Sequence, residues 1–516
     1  MRVVWRSLAF DVAVLAGWLA SVGLVVFHEH GQLWGGVGHP LASLGATLDA
    51  KEQWFGIYYQ GQKIGFSQTL LVPEDHDGVP GVGVIDRGRL AFNLLGVPQQ
   101  LDIGARAFID ANWRLQVFSA SVHSATSTLE WAGRRQGDAL FLTAKTPSGT
   151  VTRRLYDPTG SAFVNGVSSW VAFHRLHVGQ YGKAWVINPL ALSPEAVYFS
   201  VRRREPMDGH DTLVVETDVS GMTTTTWVTP EGDVLKETSP LGWELRQEPR
   251  ELAMQRVTEL SPALDLLSAA AVPLDRPLED PETITRLTLL VEGMPQESFT
   301  VQHAGQTLLP ATALAQFLSP APHAPWCLMR LEPQALPRRE DADATPSPAM
   351  RYQQASLFVQ SSDPRIIAKA REIVGSRADR WGQVMALHEW VHRTLVKQLT
   401  IGLPSAVDIL TNPIGDCHEH TVLFTALARS LGIPTRMVAG LVYQHERFYY
   451  HAWPDVWMGG WFAIDPTLGQ LMADVTHVGL TEAEDERLMT LGQFIGTLRF
   501  RALEVVHRAD SPQAAP

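Results

Sequence analysis

The sequence predicts an α+β protein in three parts: an N-terminal transmembrane helix, a large antiparallel β domain and a C-terminal α+β domain. Three observations predict it. Arg2 and Arg6 precede an apolar run over 8–27 broken only by Asp11. From Gln53 onward, short aromatic and β-branched runs alternate with turn residues, the period-2 pattern of strands. After about residue 350 the period changes to that of amphipathic helices, followed by two further strand-like runs.

The apolar run has about the twenty residues a helix needs to cross the hydrocarbon core. Its basic flank comes first, and His28, Glu29 and His30 follow it. The positive-inside rule therefore places residues 1–7 in the cytosol and the bulk of the chain on the periplasmic or other extracytoplasmic side of an inner membrane. A cleaved signal peptide is the rival reading, but no small-x-small cleavage site follows Phe27. The expectation is an uncleaved single-pass anchor at 8–27 with a linker at 28–52.

Over 53–265, "WFGIYYQGQKIGFSQTLLV" reads as two strands joined at "QGQK", and similar runs recur to "GWELRQE". Turns at "SGT", "SGM" and "PEGD" use residues that tolerate turn dihedrals. A long meander with one covered face follows, with no cluster of catalytic residue types. A small β segment is expected at 266–331, containing Cys327 as a small buried hydrophobe. The Pro- and charge-rich stretch at 332–350 reads as a linker.

With 516 residues the chain is too long for one ordinary core. A net charge of −12 without a basic run disfavours nucleic acid as a partner. Two cysteines make no disulfide framework, and no CxxC pair suggests a zinc ribbon. No cofactor or metal is expected.

The C-terminal helices open at Asp363-Pro364, a cap and first-turn pair. The next, "RWGQVMALHEWVHRTLV", contains "HEWVH", which matches the zincin pattern HExxH at His388 and His392. His388 falls at the edge of the stripe made by Val384, Leu387, Val391 and Leu395. Arg393 follows the motif directly, and no HxxGxxH extension is present. Packing is the reading favoured over zinc binding.

"GDCHEHTVLFTALARSLGIP", from Gly415 to Pro434, starts with the second cysteine, Cys417. Asp416 can cap this helix, and Gly432-Ile433-Pro434 ends it. Cys417 then sits in the first turn, where free N–H groups and the dipole favour thiolate. "FYYHAWPDVWMGGWFAIDPT" reads as a hairpin. A turn centred on Met458 sets His451 opposite Asp465, on one face. Nucleophile, base and orienter thus follow in chain order, the logic of a catalytic triad.

These stretches, with "PSAVDILTNPIGDC" before them, resemble the bacterial transglutaminase-like proteins, relatives of the papain-like cysteine enzymes. The resemblance covers about 357–477 well, and the anchor, β-rich region and tail look like one subfamily's usual architecture. It implies an α+β fold at 351–477, with 478–516 as a C-terminal extension and tail. It also implies thiol acyl chemistry on amides (crosslinking, deamidation or peptide hydrolysis), with Cys417, His451 and Asp465 at the catalytic positions. The partner would be a peptide or protein amide.

Two other site readings compete. Cys417, His418, His420 and His451 have the chemistry of zinc ligands, but that leaves Asp465 without a role. A structural Cys417 leaves the His and Asp unexplained. At the level of the whole chain, an anchored binding or assembly protein with a vestigial triad is the alternative to an enzyme. The Cys417 N–H is expected in the oxyanion hole, with Gln398 and Asn412 as candidates for a second donor. Trp453, Trp457 and Trp461 read as core rather than substrate platform.

Overall fold

In the computed structural model, residues 25–27, 50–255 and 270–508 are described, apart from 95–96, 112–113, 125–127, 147–148, 157–160, 164–175, 189–192, 220–221, 240–241, 300–302, 319–321, 324, 336–346, 357, 399–403, 484–493 and 495. The described residues fall into two compact units, one running to Gln255 and the other starting at Ala270.

The first unit is built on one antiparallel sheet of sixteen strands. Eight strands from Lys51 to Tyr156 run as a consecutive meander, and six more follow from Tyr181 to Gln247. Trp243–Gln247 pairs with Lys51–Tyr59 and joins the two series. Two-residue turns at Gln60-Gly61, Asp77-Gly78 and Asp208-Gly209 have positive φ at both positions, the geometry that matches strand twist. Burial alternates along Thr128–Gln136, where Leu129, Trp131 and Gly133 face inward. Gly133 lies opposite Phe118, whose ring fills the place a Cβ would take. A sheet this wide curls: the far strand Ser161–Phe163 returns against Val97–Asp110 and Leu115–His123.

The helix read at 8–27 lies outside the described residues except for Val25–Phe27. Those three residues form a short strand between Ser161–Phe163 and Tyr181–Asn188, so the helical reading does not hold for them. Among the described residues no helix is long and apolar enough to cross a membrane.

Among the described residues the second unit has two larger sheets, a two-stranded parallel pair of Val396–Lys397 with Ile414–Gly415, and a group of helices. One sheet orders β1 (Gln306–Leu309), β2 (Trp326–Leu331), β3 (Ile284–Glu292) and β4 (Arg499–His507) side by side. Residues 499–507, read from sequence as tail, pair with 284–292, a partnership too distant in sequence for local pattern to reveal. Of the described residues in 297–309, Gln306–Leu309 joins a sheet.

The other sheet holds the site. β5 (Thr435–Gln444) and β6 (Arg447–Trp457) form a hairpin whose turn places His445 and Glu446 at positive φ. β7 (Trp461–Ala463) pairs with β6, and β8 (Val478–Glu482) with β5. Helices α1 (Pro364–Val374), α2 (Arg380–Thr394) and α3 (Ala406–Thr411) surround α4 (Cys417–Ser430), which also lies on β5 and β6. Val422, Leu423, Phe424, Ala426 and Leu427 are fully buried, so α4 is the hub of this core.

Candidate active site

The start of α4 is held by reciprocal bonds. Asp416 accepts from His418 N, and Glu419 accepts from Asp416 N at 2.8 Å, completing a capping box. The pattern D-x-x-E is present in the sequence, and the box gives Glu419 its role. His420 Nδ1 lies 2.5 Å from Asp416 O, and burial pushes its ring down to about 4, so it is neutral at physiological pH. Gly415 is required, since a Cβ there would stand 2.3 Å from the Glu419 side chain. At the far end Ile433 N donates to Ala428 O and Gly432 N to Arg429 O, with Gly432 at φ 76°. That is the Schellman stop expected from Gly-Ile-Pro.

Cys417 is the first residue of α4 and is 1% exposed. One turn later Thr421 Oγ1 donates to Ala452 O at 3.1 Å, strapping this end of the helix to the residue after His451. His451 itself pairs with Gly440 across the β5–β6 ladder. A Cβ at Gly440 would lie 2.6 Å from the Trp453 ring, so the glycine makes room for that ring beside His451.

Asp465 is not opposite His451. The β6–β7 ladder pairs Asp455 with Ala463 and Trp457 with Trp461, so the hairpin is centred on Gly459 rather than Met458. This shift changes the register by two residues and preserves which face each side chain takes. β7 ends at Ala463, and Asp465 instead bridges to Gln470. Its carboxylate still reaches back: Oδ2 lies 2.6 Å from His451 Nε2, while Oδ1 accepts from Thr467 N and Leu468 N at 2.8 and 2.9 Å. Burial alone would raise this carboxyl, but the His451 and His477 rings hold it well below the usual carboxylate range.

His477, which sequence reasoning missed, completes the cluster from the residue before β8. Its Nε2 is 3.2 Å from Asp465 Oδ2 and its Nδ1 is 3.2 Å from Asp474 Oδ1. Burial opposes a charge on this ring, yet the two carboxylates raise it to about 9. Asp474 is fixed in turn by Thr476 N, Thr476 Oγ1 and Gln470 Nε2 at 2.8, 2.6 and 2.8 Å. Trp453 walls this chain, lying 6.0 Å from His451 at 28° and 5.1 Å edge-on from His477.

Residues 367–466 match the transglutaminase-like superfamily. The matched span contains Cys417, His451 and Asp465 and stops before His477. No curated protein matches the chain. Among solved structures, a candidate cysteine protease from Cytophaga hutchinsonii is similar at 16% identity and TM-score 0.29, over 45% of this chain and 90% of its own. A β-barrel-like protein of a domain of unknown function from Brucella abortus is similar at 9% and 0.29, over 38% and 94%. A candidate protease from Parabacteroides distasonis is similar at 11% and 0.19, over 70% and 68%. At these scores the structural likenesses carry no argument about chemistry.

Within the matched span the HEWVH residues support the Asp465 loop. His388 is buried with Nε2 3.3 Å from Asp465 O, and His392 Nδ1 is 2.8 Å from Pro466 O. Toward a carbonyl each of those nitrogens must donate, so neither is available to a metal. Glu389, the base of a zincin, points outward and pairs with Arg393 at 3.1 Å. Among the described residues, the metal-ligating groups that converge are His451, Asp465 and His477, without Cys417, His418 or His420. Two ligands of one zinc ion stand more than ~3 Å apart when each bond is about 2.0–2.2 Å. The 2.6 Å between His451 and Asp465 is a hydrogen bond.

Of the two proposed oxyanion donors, the side chains of Gln398 and Asn412 are exposed. Gln398 nevertheless runs beside the approach to Cys417, its N–H donating to Gly415 O at 3.2 Å. Trp453 is fully buried, and Trp457 and Trp461 form an edge-on pair at 5.3 Å. Neither cysteine forms a disulfide; burial pushes the Cys327 thiol up to about 12.

Proposed function

We propose that this protein is a membrane-anchored cysteine acyl-transfer enzyme acting on amide bonds, with Cys417 as nucleophile, His451 as base and Asp465 as orienter. The observation that carries the proposal is the 2.6 Å bond from His451 Nε2 to Asp465. It commits one ring nitrogen to the carboxylate and leaves Nδ1 to exchange a proton with the thiol. The Thr421–Ala452 strap supports the pairing, because it ties the strand bearing His451 to the helix that opens at Cys417. The helix N-terminus favours the thiolate, and the buried Asp465 favours the imidazolium beside it.

In this mechanism the Cys417 sulfur attacks the amide carbonyl, and the Cys417 N–H donates to the oxyanion. His451 gives its proton to the departing amine, leaving a thioester. Water or a second amine then takes the acyl group, with His451 accepting the incoming proton. The peptide or protein substrate would be met on the extracytoplasmic side, if the N-terminal run anchors the chain as its flanking charges suggest.

The test is labelling by iodoacetamide at neutral pH. Cys417 is expected to alkylate faster than a free thiol in the native protein and far more slowly after His451→Ala, while Cys327 stays silent. Labelling indifferent to His451 would favour an anchored binding module.

A further inference from the structure

Asp465 serves two imidazoles through one oxygen. His451 and His477 both approach Oδ2, at 2.6 and 3.2 Å, and their rings stand 6.0 Å apart. A triad needs only the first of these contacts. Burying a polar ring is costly unless it is fully bonded. Here it is: both nitrogens face carboxylates, and all three side chains are buried, Asp474 partly. Ionised carboxylates only accept, so both nitrogens donate together only when the ring is an imidazolium.

We infer that His477, held by Asp474, is a positioning residue that divides the charge of Asp465 with His451 and so sets the pH range over which the Cys417–His451 pair works. The inference rests on the triad reading above. Charges then alternate along Asp474, His477, Asp465, His451 and Cys417. Each neighbour stabilises the next, and the cation at His477 restrains the basicity of His451 by sharing its counter-ion. Without His477 the whole charge of Asp465 would act on His451, and its imidazolium would persist to higher pH.

Other titratable groups face the same carboxylate. His388 approaches from α2, His420 from α4, and Lys397 from the short strand Val396–Lys397, while His392 of α2 turns its Nδ1 to Pro466 O. Burial pushes His388, His420 and Lys397 downward. Beyond Trp453, His303 lies 3.6 Å from Asp455, a carboxylate already paired with Arg436. Among these groups His477 is the one whose ring bridges two carboxylates.

The experiment is a pH titration of the full chain labelled with 15N-histidine, read by imidazole nitrogen shifts and assigned with His451→Gln and His477→Gln. Near neutral pH the His477 ring is expected to carry protons on both nitrogens. In His477→Gln the titration of His451 should move to higher pH by about half a unit or more. Asp474→Asn serves as the second variant if His477→Gln fails to fold, and it should lower the pH at which His477 loses its proton. A neutral His477 ring in the wild type, or a His451 titration unchanged in both variants, overturns the inference. Failure of the triad reading shows differently: the His451 titration would then be insensitive to Cys417→Ala, whatever His477 does.

Discussion

His451 and Asp465 share a 2.6 Å hydrogen bond although they are not partners in any ladder. His451 sits in mid-strand opposite Gly440, and Asp465 lies beyond the end of its own strand, in a loop closed by Gln470. The carboxylate is aimed by backbone N–H groups at Thr467 and Leu468 and by the histidines of α2 behind it. Replacing Asp465 with Asn removes the acceptor that fixes the His451 tautomer. Turnover should fall by roughly 10²–10⁴-fold, as for an orienting carboxylate, and less completely than in Cys417→Ala. Steady-state kinetics of the two variants check the order.

His388→Ala should weaken the protein by about 0.5–1.5 kcal/mol, because it removes one of two hydrogen bonds to the buried Asp465 carbonyl, which keeps the one from Gln470 N. Metal has no part in this effect. Chelation should leave activity and melting temperature unchanged, and a stoichiometric zinc ion lost in His388→Ala would contradict the account.

Gly469→Ala tests the same support from the other side. Gly469 has φ 75°, and an added Cβ would lie 2.6 Å from His392 Cε1. The left-handed backbone alone costs about 1–2 kcal/mol. Pushing His392 off Pro466 O should lower activity as well, and a fall in kcat at unchanged substrate binding is the expected signature.

Stability should respond to pH through His477. Its folded-state value is raised to about 9, so the native state holds a proton the unfolded chain releases above about 6.5. That contribution is fully present below the unfolded value and lost as pH rises through the folded one. Asp465 and Asp474 act with opposite sign: both are depressed, Asp474 to about 2, so their contribution is lost as pH falls below the ordinary carboxylate range. Urea midpoints should therefore drop between neutral and alkaline pH in the wild type, and drop less in His477→Gln.

Much of the site was legible in the sequence because it is built on local rules. The cap at Asp416, the first-turn cysteine and the Gly432 stop are positions whose chemistry neighbours dictate. The order Cys417, His451, Asp465 followed from one hairpin. The register did not: a turn centred on Gly459 and one on Met458 look alike in residue type, and only even slippage kept Asp465 on the right side. His477 was invisible because its partners, Asp465 and Asp474, are joined to it by a folded loop and not by periodicity. The part HEWVH plays was not legible, because the carbonyls it serves lie over seventy residues downstream. The pairing of Arg499–His507 with Ile284–Glu292 was hidden for the same reason.

The proposed topology has its own check. A reporter fused after Gly45 should be active only on the extracytoplasmic side, as the Arg2 and Arg6 flank predicts. Activity confined to the cytosol would reverse the orientation.

The central claim is that Cys417 takes up an acyl group with the help of His451, and intact-mass spectrometry after mixing with p-nitrophenyl acetate tests it most directly. The account predicts a burst of one p-nitrophenol per chain and a single acetyl adduct that maps to Cys417. The adduct should be absent in Cys417→Ala and formed far more slowly in His451→Ala. A wild-type chain that acquires no adduct at Cys417, or acquires it equally fast without His451, would contradict the account.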